Sequence, residues 1–366
     1  MVTPLPRELA DPSSVGIHPG RLGVLIDRVR QDVEHGPLPA AQIAVAKNGR
    51  LVAFETFGDA TPTTRFISQS AGRPLLAACM WKLMSDGLLN VDERVCDVLP
   101  GFGANGKEGV TYRHVLTHTG GFPMAPIRYG AMRDRAKRLE AMAAWKLDYE
   151  PGTSMRYHLT SAAWVIADTI EERAGMPLIQ YLTEVISRPL GLDIELGVPA
   201  ERQKTVAPIK PIGDIPRDWK PDPWGPWYFM DPEKLAAGEP SHTIVSTAAD
   251  TVLLFQSMYH TDLFDPEVIA FATSPVVTMP MEGDYGGDGH LAPKGLFVNV
   301  EGPATASEAT WGHGGAPSSL TWHDPEVDLS IAFYNNGYPA TGYDRGRSGR
   351  NRSIVVGTLA FDILDD

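Results

Sequence analysis

Apolar and polar positions follow two different periods along this chain, and they predict strands near both ends with helices between them. Residues 21–36 carry an apolar side chain every three or four positions, which predicts a helix. Residues 41–58 hold two alternating runs on either side of Asn48 and Gly49, the dipeptide most typical of a tight hairpin turn. The chain therefore opens as a helix followed by an antiparallel hairpin.

The middle of the chain is predicted to be mainly helical, and strand patterns return towards its end. Helical periodicity covers residues 74–87, 111–117, 137–145, 159–174, 177–186, 247–259 and 353–364. Strand patterns cover residues 295–300, 318–323 and 328–334. Residues 205–240 predict irregular structure, because prolines crowd the stretch around residues 219–232 and proline excludes regular backbone.

This arrangement predicts one sheet built from both ends of the chain, with a helical region inserted. The fold class is α/β (α+β), and 366 residues are many for a single hydrophobic core. We therefore predict a sheet domain formed by residues 1–66 and 241–366, and a mainly helical domain formed by residues 67–240.

The composition is that of a globular protein and argues against several classes of function. Hydrophobic residues make up 43% and charged residues 21%, and no stretch has the length and apolarity of a membrane span. The net charge of −13 argues against nucleic acid as a partner, and two cysteines are too few for a disulfide framework. With no secretory signal evident, we predict a cytoplasmic protein that acts on a small molecule; a homo-oligomer is left open.

Candidate chemistry centres on Ser70, which residues 66–89 deliver to the start of a long apolar helix. Backbone N–H groups and the helix dipole favour a nucleophile at such a position. The alternative is a helix-capping serine with no chemical role. His114 and His118 are spaced as metal ligands on a helix, but no H-E-x-x-H glutamate accompanies them, so we predict neither a metal nor an organic cofactor.

Several stretches, taken in order, resemble the serine β-lactamase-like superfamily. They are FISQSAGRPLLA, GLLNVDERVCDVLPGF, VTYRHVLTHTGGFP, EPGTSMRYHLTSAAW, VSTAADTVLLF and WGHGGAPSSLTWHDPEVDLSIAFYNNG. The similarity extends from about residue 20 to the C-terminus and is strongest to class C β-lactamases, D-alanyl-D-alanine carboxypeptidases and family VIII carboxylesterases. It implies a β-lactamase/transpeptidase-like fold, an antiparallel sheet flanked by helices with an inserted helical region.

The resemblance implies that Ser70 is the nucleophile of an S-x-x-K motif in which Arg73 replaces the lysine. A guanidinium cannot be deprotonated at working pH, so Arg73 is not a general base. Tyr157 matches the tyrosine of the second motif, and a phenol becomes a useful base when a nearby cation stabilises its phenolate. We therefore predict that Tyr157 is the acid–base group and that Arg73 supports it; the alternative is that Arg73 only pairs with a carboxylate.

Other site residues follow from the third motif and from the neighbours of Tyr157. His313 and Gly315 match the H-x-G form of the third motif. The resemblance implies that His313 is an auxiliary donor. It also implies an oxyanion hole formed by the backbone N–H groups of Ser70 and Ala316. Leu159 replaces the asparagine of the Y-x-N motif.

Two further residues are predicted to contact the substrate. His158 offers an imidazole beside Tyr157, and Trp227 belongs to the tryptophan-rich stretch 219–228, which either borders the pocket or packs on itself.

The predicted function is hydrolysis of a carboxylic ester or amide of a small apolar molecule through an acyl-Ser70 intermediate. Two alternatives stay open because Arg73 cannot act as a base. One is a relative that only binds a ligand in the same cleft. The other is an enzyme of non-hydrolytic chemistry in which Tyr157 or His158 moves protons.

Overall fold

A computed structural model describes residues 2–221, 226–283, 291–316, 318–340 and 348–365. The helices are α1 (Pro19–Glu34), α2 (Arg73–Ser85), α3 (Val95–Val98), α4 (Tyr112–Leu116), α5 (Tyr129–Met132), α6 (Arg135–Ala144), α7 (Ser161–Ala174), α8 (Leu178–Tyr181), α9 (Pro232–Ala237), α10 (Ala248–His260), α11 (Pro266–Ala272) and α12 (Ser348–Phe361). Shorter helical turns cover Pro12–Val15, Gln69–Gly72, Ala104–Gly106, Leu182–Ser187, Ala200–Thr205 and Pro226–Met230.

The strands are β1 (Ala40–Lys47), β2 (Arg50–Gly58), β3 (Phe66–Ile67), β4 (Met155–Arg156), β5 (Lys210–Ile212), β6 (Val245–Ser246), β7 (Val277–Glu282), β8 (Leu291–Lys294), β9 (Trp311–Gly315), β10 (Ser319–Asp324), β11 (Leu329–Asn335) and β12 (Gly337–Pro339). The main sheet is antiparallel with the order β2-β1-β11-β10-β9, so the two strands from the start of the chain join the three from its end where β1 pairs with β11. The predicted hairpin is confirmed: Asn48 and Gly49 both have positive φ, as the tight turn between β1 and β2 requires.

Both faces of the sheet are covered by helices, and alternate residues of each strand face opposite sides. Ile43 and Val45 of β1 pack with α1 and α12, whereas Ala40, Ala44 and Ala46 pack with α10. The small side chains on the α10 side let that helix approach the sheet closely. This layered arrangement confirms the predicted fold class.

The helical region has a core of its own, centred on α2 and α7, which includes Trp81 and Trp164. The same core continues into residues 254–258 and 296–311, which the predicted boundary assigns to the sheet domain. The two-domain division therefore stays a prediction. In the described part of the chain, no helix has both the length and the apolarity to cross a bilayer, and a cytoplasmic location likewise stays a prediction.

Two secondary-structure predictions are wrong. Residues 295–300 do not form a strand: β8 ends at Lys294, and Gly295 N–H donates to Val298 O in a turn that places Phe297 at a φ of 71°. The stretch 205–240 is not wholly irregular, because α9 begins after Asp231, whose carboxylate accepts from the first backbone N–H groups of the helix.

Candidate active site

Ser70 lies in a tight turn that leads directly into α2. The turn Gln69–Gly72 precedes Arg73, the first residue of the helix, and Gln69 has a φ of 51°, which few residues other than glycine adopt. Ser70 is partly exposed and borders a cavity of about 790 Å³. The helix start predicted for residues 66–89 is therefore present, and Ser70 borders a cavity there.

Strand β9 lies against this turn. A Cβ atom on Gly315 would come within 2.8 Å of Ala71 N and 2.9 Å of Ser68 O, so only a glycine allows the strand to sit so close. The hydroxyl of Thr321, on the neighbouring strand β10, donates to Ala71 O at 2.8 Å and fixes the contact. Gly315 and Ala316 both line the cavity, as predicted.

Gly315→Ala is expected to lower kcat about 10²-fold, because the added Cβ must push β9 away from the Ser70 turn by an appreciable fraction of an ångström. Gly314→Ala is the matched control, since a Cβ there meets nothing within 4 Å. Steady-state kinetics with an activated ester would check both variants. Equal kcat values for the two would contradict the proposed close fit.

Arg73 is buried, with 1% of its surface exposed, and it contacts Tyr157 directly. Its Nε donates to Tyr157 Oη, and its Nη2 donates to Leu159 O at 2.7 Å and His158 O at 3.2 Å. The guanidinium carbon lies 4.3 Å from the ring centroid of Tyr157 and 4.7 Å from that of Phe297. No carboxylate among the described residues pairs with Arg73, so its described contacts favour support of Tyr157 over the carboxylate-pairing interpretation.

Tyr157 borders the cavity from the loop between β4 and α7. Its ring packs against His118 at 4.8 Å and His313 at 5.8 Å between centroids. Burial is the main cause that holds the pKa of each of these histidines well below its usual range, and the charge of Arg73 adds to it. Both rings are therefore neutral, and the positive charge beside Tyr157 comes from Arg73.

The predicted substrate contact of His158 is wrong. Its Nε2 accepts from Phe122 N–H at 3.2 Å and its Nδ1 donates to Arg156 O at 2.7 Å, which occupies both ring nitrogens with backbone. The side chain is fully buried and does not line the cavity, and burial lowers its pKa to about 3. His158 thus holds the loop that carries Tyr157.

His313 borders the cavity from β9, as predicted, but not as a donor. Its Nδ1 faces Gly314 O at 2.5 Å and must carry the hydrogen, because a carbonyl oxygen only accepts. In a neutral ring, Nε2 then has a lone pair. The neutral ring then has no second N–H to donate to a substrate, which contradicts the predicted role of His313 as an auxiliary donor.

Lys294 is a site residue that the sequence analysis missed. It borders the same cavity, and its Nζ donates to Asn299 Oδ1. Burial lowers the pKa of Lys294 to about 8, with Glu301 opposing and Arg73 adding to this shift. A lysine inside an apolar run, APKGLFV, was the available signal.

The tryptophan-rich stretch lines the cavity with other side chains than that of Trp227, which was predicted to contact the substrate. Pro226, Tyr228 and Phe229 line the cavity, whereas the ring of Trp227 packs against Trp219 and Tyr338 at 5.2 Å from each. Residues 222–225 of this stretch lie outside the described part of the chain. The described contacts of Trp227 correspond to the self-packing alternative, and its neighbour Tyr338 lines the cavity.

The two histidines considered as metal ligands have separate roles. His114 takes part in the cap of α4 through Thr111, and the Nδ1 of His118 accepts from His158 N–H at 3.1 Å. The described residues contain no group of three or more histidine, cysteine or acidic side chains arranged to hold a metal.

Fold and site together define a serine hydrolase of the beta-lactamase family. A sequence model of that family matches residues 25–355, and the chain belongs to it. Among curated relatives, a proposed D-alanyl-D-alanine carboxypeptidase of Escherichia coli K12 is 25% identical, over 89% of this chain and 85% of that protein.

Solved structures show the same fold. A penicillin-binding protein homologue from Caulobacter crescentus superposes with a TM-score of 0.79 and 22% identity, over 95% of this chain and 99% of that one. A family VIII carboxylesterase gives a TM-score of 0.78 and 21% identity, over 93% and 98% of the two chains.

Proposed function

We propose that this protein hydrolyses a carboxylic ester or amide of a small, largely apolar molecule through an acyl-Ser70 intermediate. The observation that carries the proposal is the convergence of Ser70 and Tyr157 on one cavity, with Arg73 Nε donating to the phenolic oxygen. A nucleophile and an acid–base group with its own positioning partner are the parts that covalent acyl transfer needs.

In the proposed reaction, Tyr157 takes the proton of Ser70 as Oγ bonds to the substrate carbonyl carbon. The resulting oxyanion is bound by backbone N–H groups, for which those of Ser70 and Ala316 are the candidates. Tyr157 then gives the proton to the leaving alcohol or amine, and the acyl group stays on Ser70. Arg73 stabilises the phenolate form of Tyr157, the role that its buried, charge-assisted hydrogen bond supports.

Part of the described cavity lining is apolar and would contact an apolar part of the substrate. Ile127, Met132, Leu159, Trp164 and Phe229 all contribute to it. Leu159 stands where the resemblance expects an asparagine, and an apolar side chain cannot bond the amide of a peptide-like ligand. This supports an ester or simple amide over a peptide, in line with the structural neighbour named as a carboxylesterase.

Tyr157→Phe is expected to lower kcat about 10²–10⁴-fold, because it removes the group that moves the proton. Arg73→Met is expected to lower kcat about 10–10²-fold, because it removes the charged donor to the phenolic oxygen of Tyr157, and such a hydrogen bond contributes about 1.5–3 kcal/mol. Arg73→Lys keeps the charge, restores the S-x-x-K lysine and is expected to raise activity. A Tyr157→Phe enzyme as active as the native one would rule out the proposed base.

Whole-protein mass spectrometry after exposure to a panel of activated esters tests the function itself. The expected result is a mass increase equal to the acyl group, located on the peptide that carries Ser70, with turnover of at least one ester. Neither adduct nor turnover across short and long acyl chains would contradict the proposal. The non-hydrolytic alternatives are not favoured, because Tyr157 can supply the proton transfer that Arg73 cannot.

A further inference from the structure

A second pair of acid–base groups lines the same cavity and has no part in the mechanism above. Glu239 and His242 both line the cavity, at 2% and 8% exposure. The Nδ1 of His242 lies 2.7 Å from Glu239 Oε2, and the other carboxylate oxygen accepts from Ser241 N–H at 3.1 Å. The carboxylate is thus fully engaged, and it orients the imidazole.

The geometry fixes which nitrogen of His242 is available. The nitrogen that faces a carboxylate carries a hydrogen, so in the neutral form of the ring Nδ1 is the donor and Nε2 has the lone pair. Phe229 stacks on the ring at 4.9 Å between centroids, with 16° between the planes, and holds its orientation. A histidine with one nitrogen held by a carboxylate and the other able to accept a proton is the arrangement of a general base.

This pair is attached to the nucleophile turn itself. Gln69 N–H donates to His242 O at 3.2 Å, and Ser68 N–H donates to Ile244 O at 2.9 Å, so residues 242–244 run beside the turn that carries Ser70. The side-chain Nε2 of Gln69, a cavity-lining residue with 7% exposure, has no hydrogen-bond partner among the described residues.

We propose that His242, positioned by Glu239, is the general base that activates the water in the second half of the reaction. This inference rests on the proposed acyl-Ser70 route. His242 Nε2 takes a proton from water as the water oxygen bonds to the acyl carbon. The bond between that carbon and Ser70 Oγ then breaks, and Oγ takes the proton from His242. The products are the carboxylic acid, free Ser70 and neutral His242.

Two proton-transfer groups on separate elements divide the work between the two half-reactions. Tyr157 comes from the loop before α7 and serves acylation, while His242 comes from the segment before β6 and serves deacylation. Loss of His242 must therefore slow one step and spare the other. A purely structural pair would instead affect folding, or both steps alike.

The test measures the two steps separately in His242→Asn, His242→Gln and Glu239→Gln. With an activated ester, the burst of the first turnover gives the acylation rate, and the decay of the acyl-Ser70 mass gives deacylation. Acylation is expected to stay within about threefold of the native protein. Deacylation is expected to fall about 10²–10³-fold in the His242 variants, by the typical size of general base catalysis, and less in Glu239→Gln. The acyl adduct should therefore accumulate.

His260→Asn is the matched control, because His260 Nε2 forms a similar pair with Asp328, at 2.6 Å, beside the β1–β2 turn and away from the cavity. It should change neither rate. An unchanged adduct lifetime in a folded His242 variant, or equal losses in both rates, would overturn the inference and leave acyl transfer through Ser70 intact. Neither adduct nor turnover with the native protein would overturn both.

Discussion

Ser70→Ala is expected to lower the hydrolysis of activated esters at least 10³-fold and to abolish the acyl adduct. The variant lacks the oxygen that bonds to the acyl carbon, and only oxyanion binding and substrate positioning remain to accelerate attack by water. The cavity and the contact of β9 with the turn do not depend on the hydroxyl, so ligand binding should persist. Steady-state kinetics and intact-protein mass spectrometry check both parts of this expectation.

Ser85→Ala provides the control, because Ser85 ends the same helix and its hydroxyl donates to Trp81 O, far from the cavity. It should leave kcat unchanged and keep the adduct. If Ser70→Ala retained a tenth or more of native activity, another group would have to be the nucleophile. The assignment of Ser70, and with it the acyl-enzyme route, would then be lost.

Acid is expected to destabilise this protein strongly between pH 6.5 and pH 3. Burial lowers the pKa of His158 and of His323 to about 3, against an ordinary value of 6.5. A base whose pKa is lower in the folded state binds fewer protons when folded, so protons favour the unfolded chain. Above pH 6.5 these histidines do not reduce the free energy of unfolding. At pH 5 each of them lowers it by about 2 kcal/mol.

Denaturant unfolding at pH 7, 6 and 5 would measure the effect, and His118 and His313 should act in the same direction. His323→Asn tests the assignment, because His323 is fully buried and pairs with Ser330 Oγ at 2.8 Å, away from the cavity. That variant should show a weaker pH dependence than the native protein. An unfolding free energy that does not change from pH 7 to pH 5 would show that the buried rings are not protonated on unfolding.

The sequence predicted well where local chemistry decides the structure. The Asn48-Gly49 turn needs two residues with positive φ, and the dipeptide itself supplies them. The Ser70 turn and the helix after it follow from a motif read together with an apolar run. These features depend on residues that are neighbours in the chain, which a single sequence displays.

The missed residues depend on contacts between distant segments. Lys294 contacts Asn299 because the chain turns at Phe297 instead of continuing as a strand, and a positive φ at phenylalanine has no periodic signal. Glu239 lies near the end of the stretch 205–240, whose prolines predicted irregular structure only, and His242 follows in a segment to which no pattern was assigned. The direction of His158 is set by backbone groups near Phe122 and Arg156, which apolar periodicity does not report.

The order of strands in the main sheet has a consequence for synthesis of the chain. Strand β11 lies between β1 and β10, and Ala41 pairs with Asn335. At roughly 5–20 residues per second, the β1–β2 hairpin waits on the order of tens of seconds on the ribosome before its partner exists. During that interval the inner edge of β1 is unpaired, a state prone to wrong pairing. A chain that ends before Leu329 would contain Ser70 but lack β11. Without β11, strands β9 and β10 are not joined to β1, and nothing in the sheet holds β9 against the Ser70 turn.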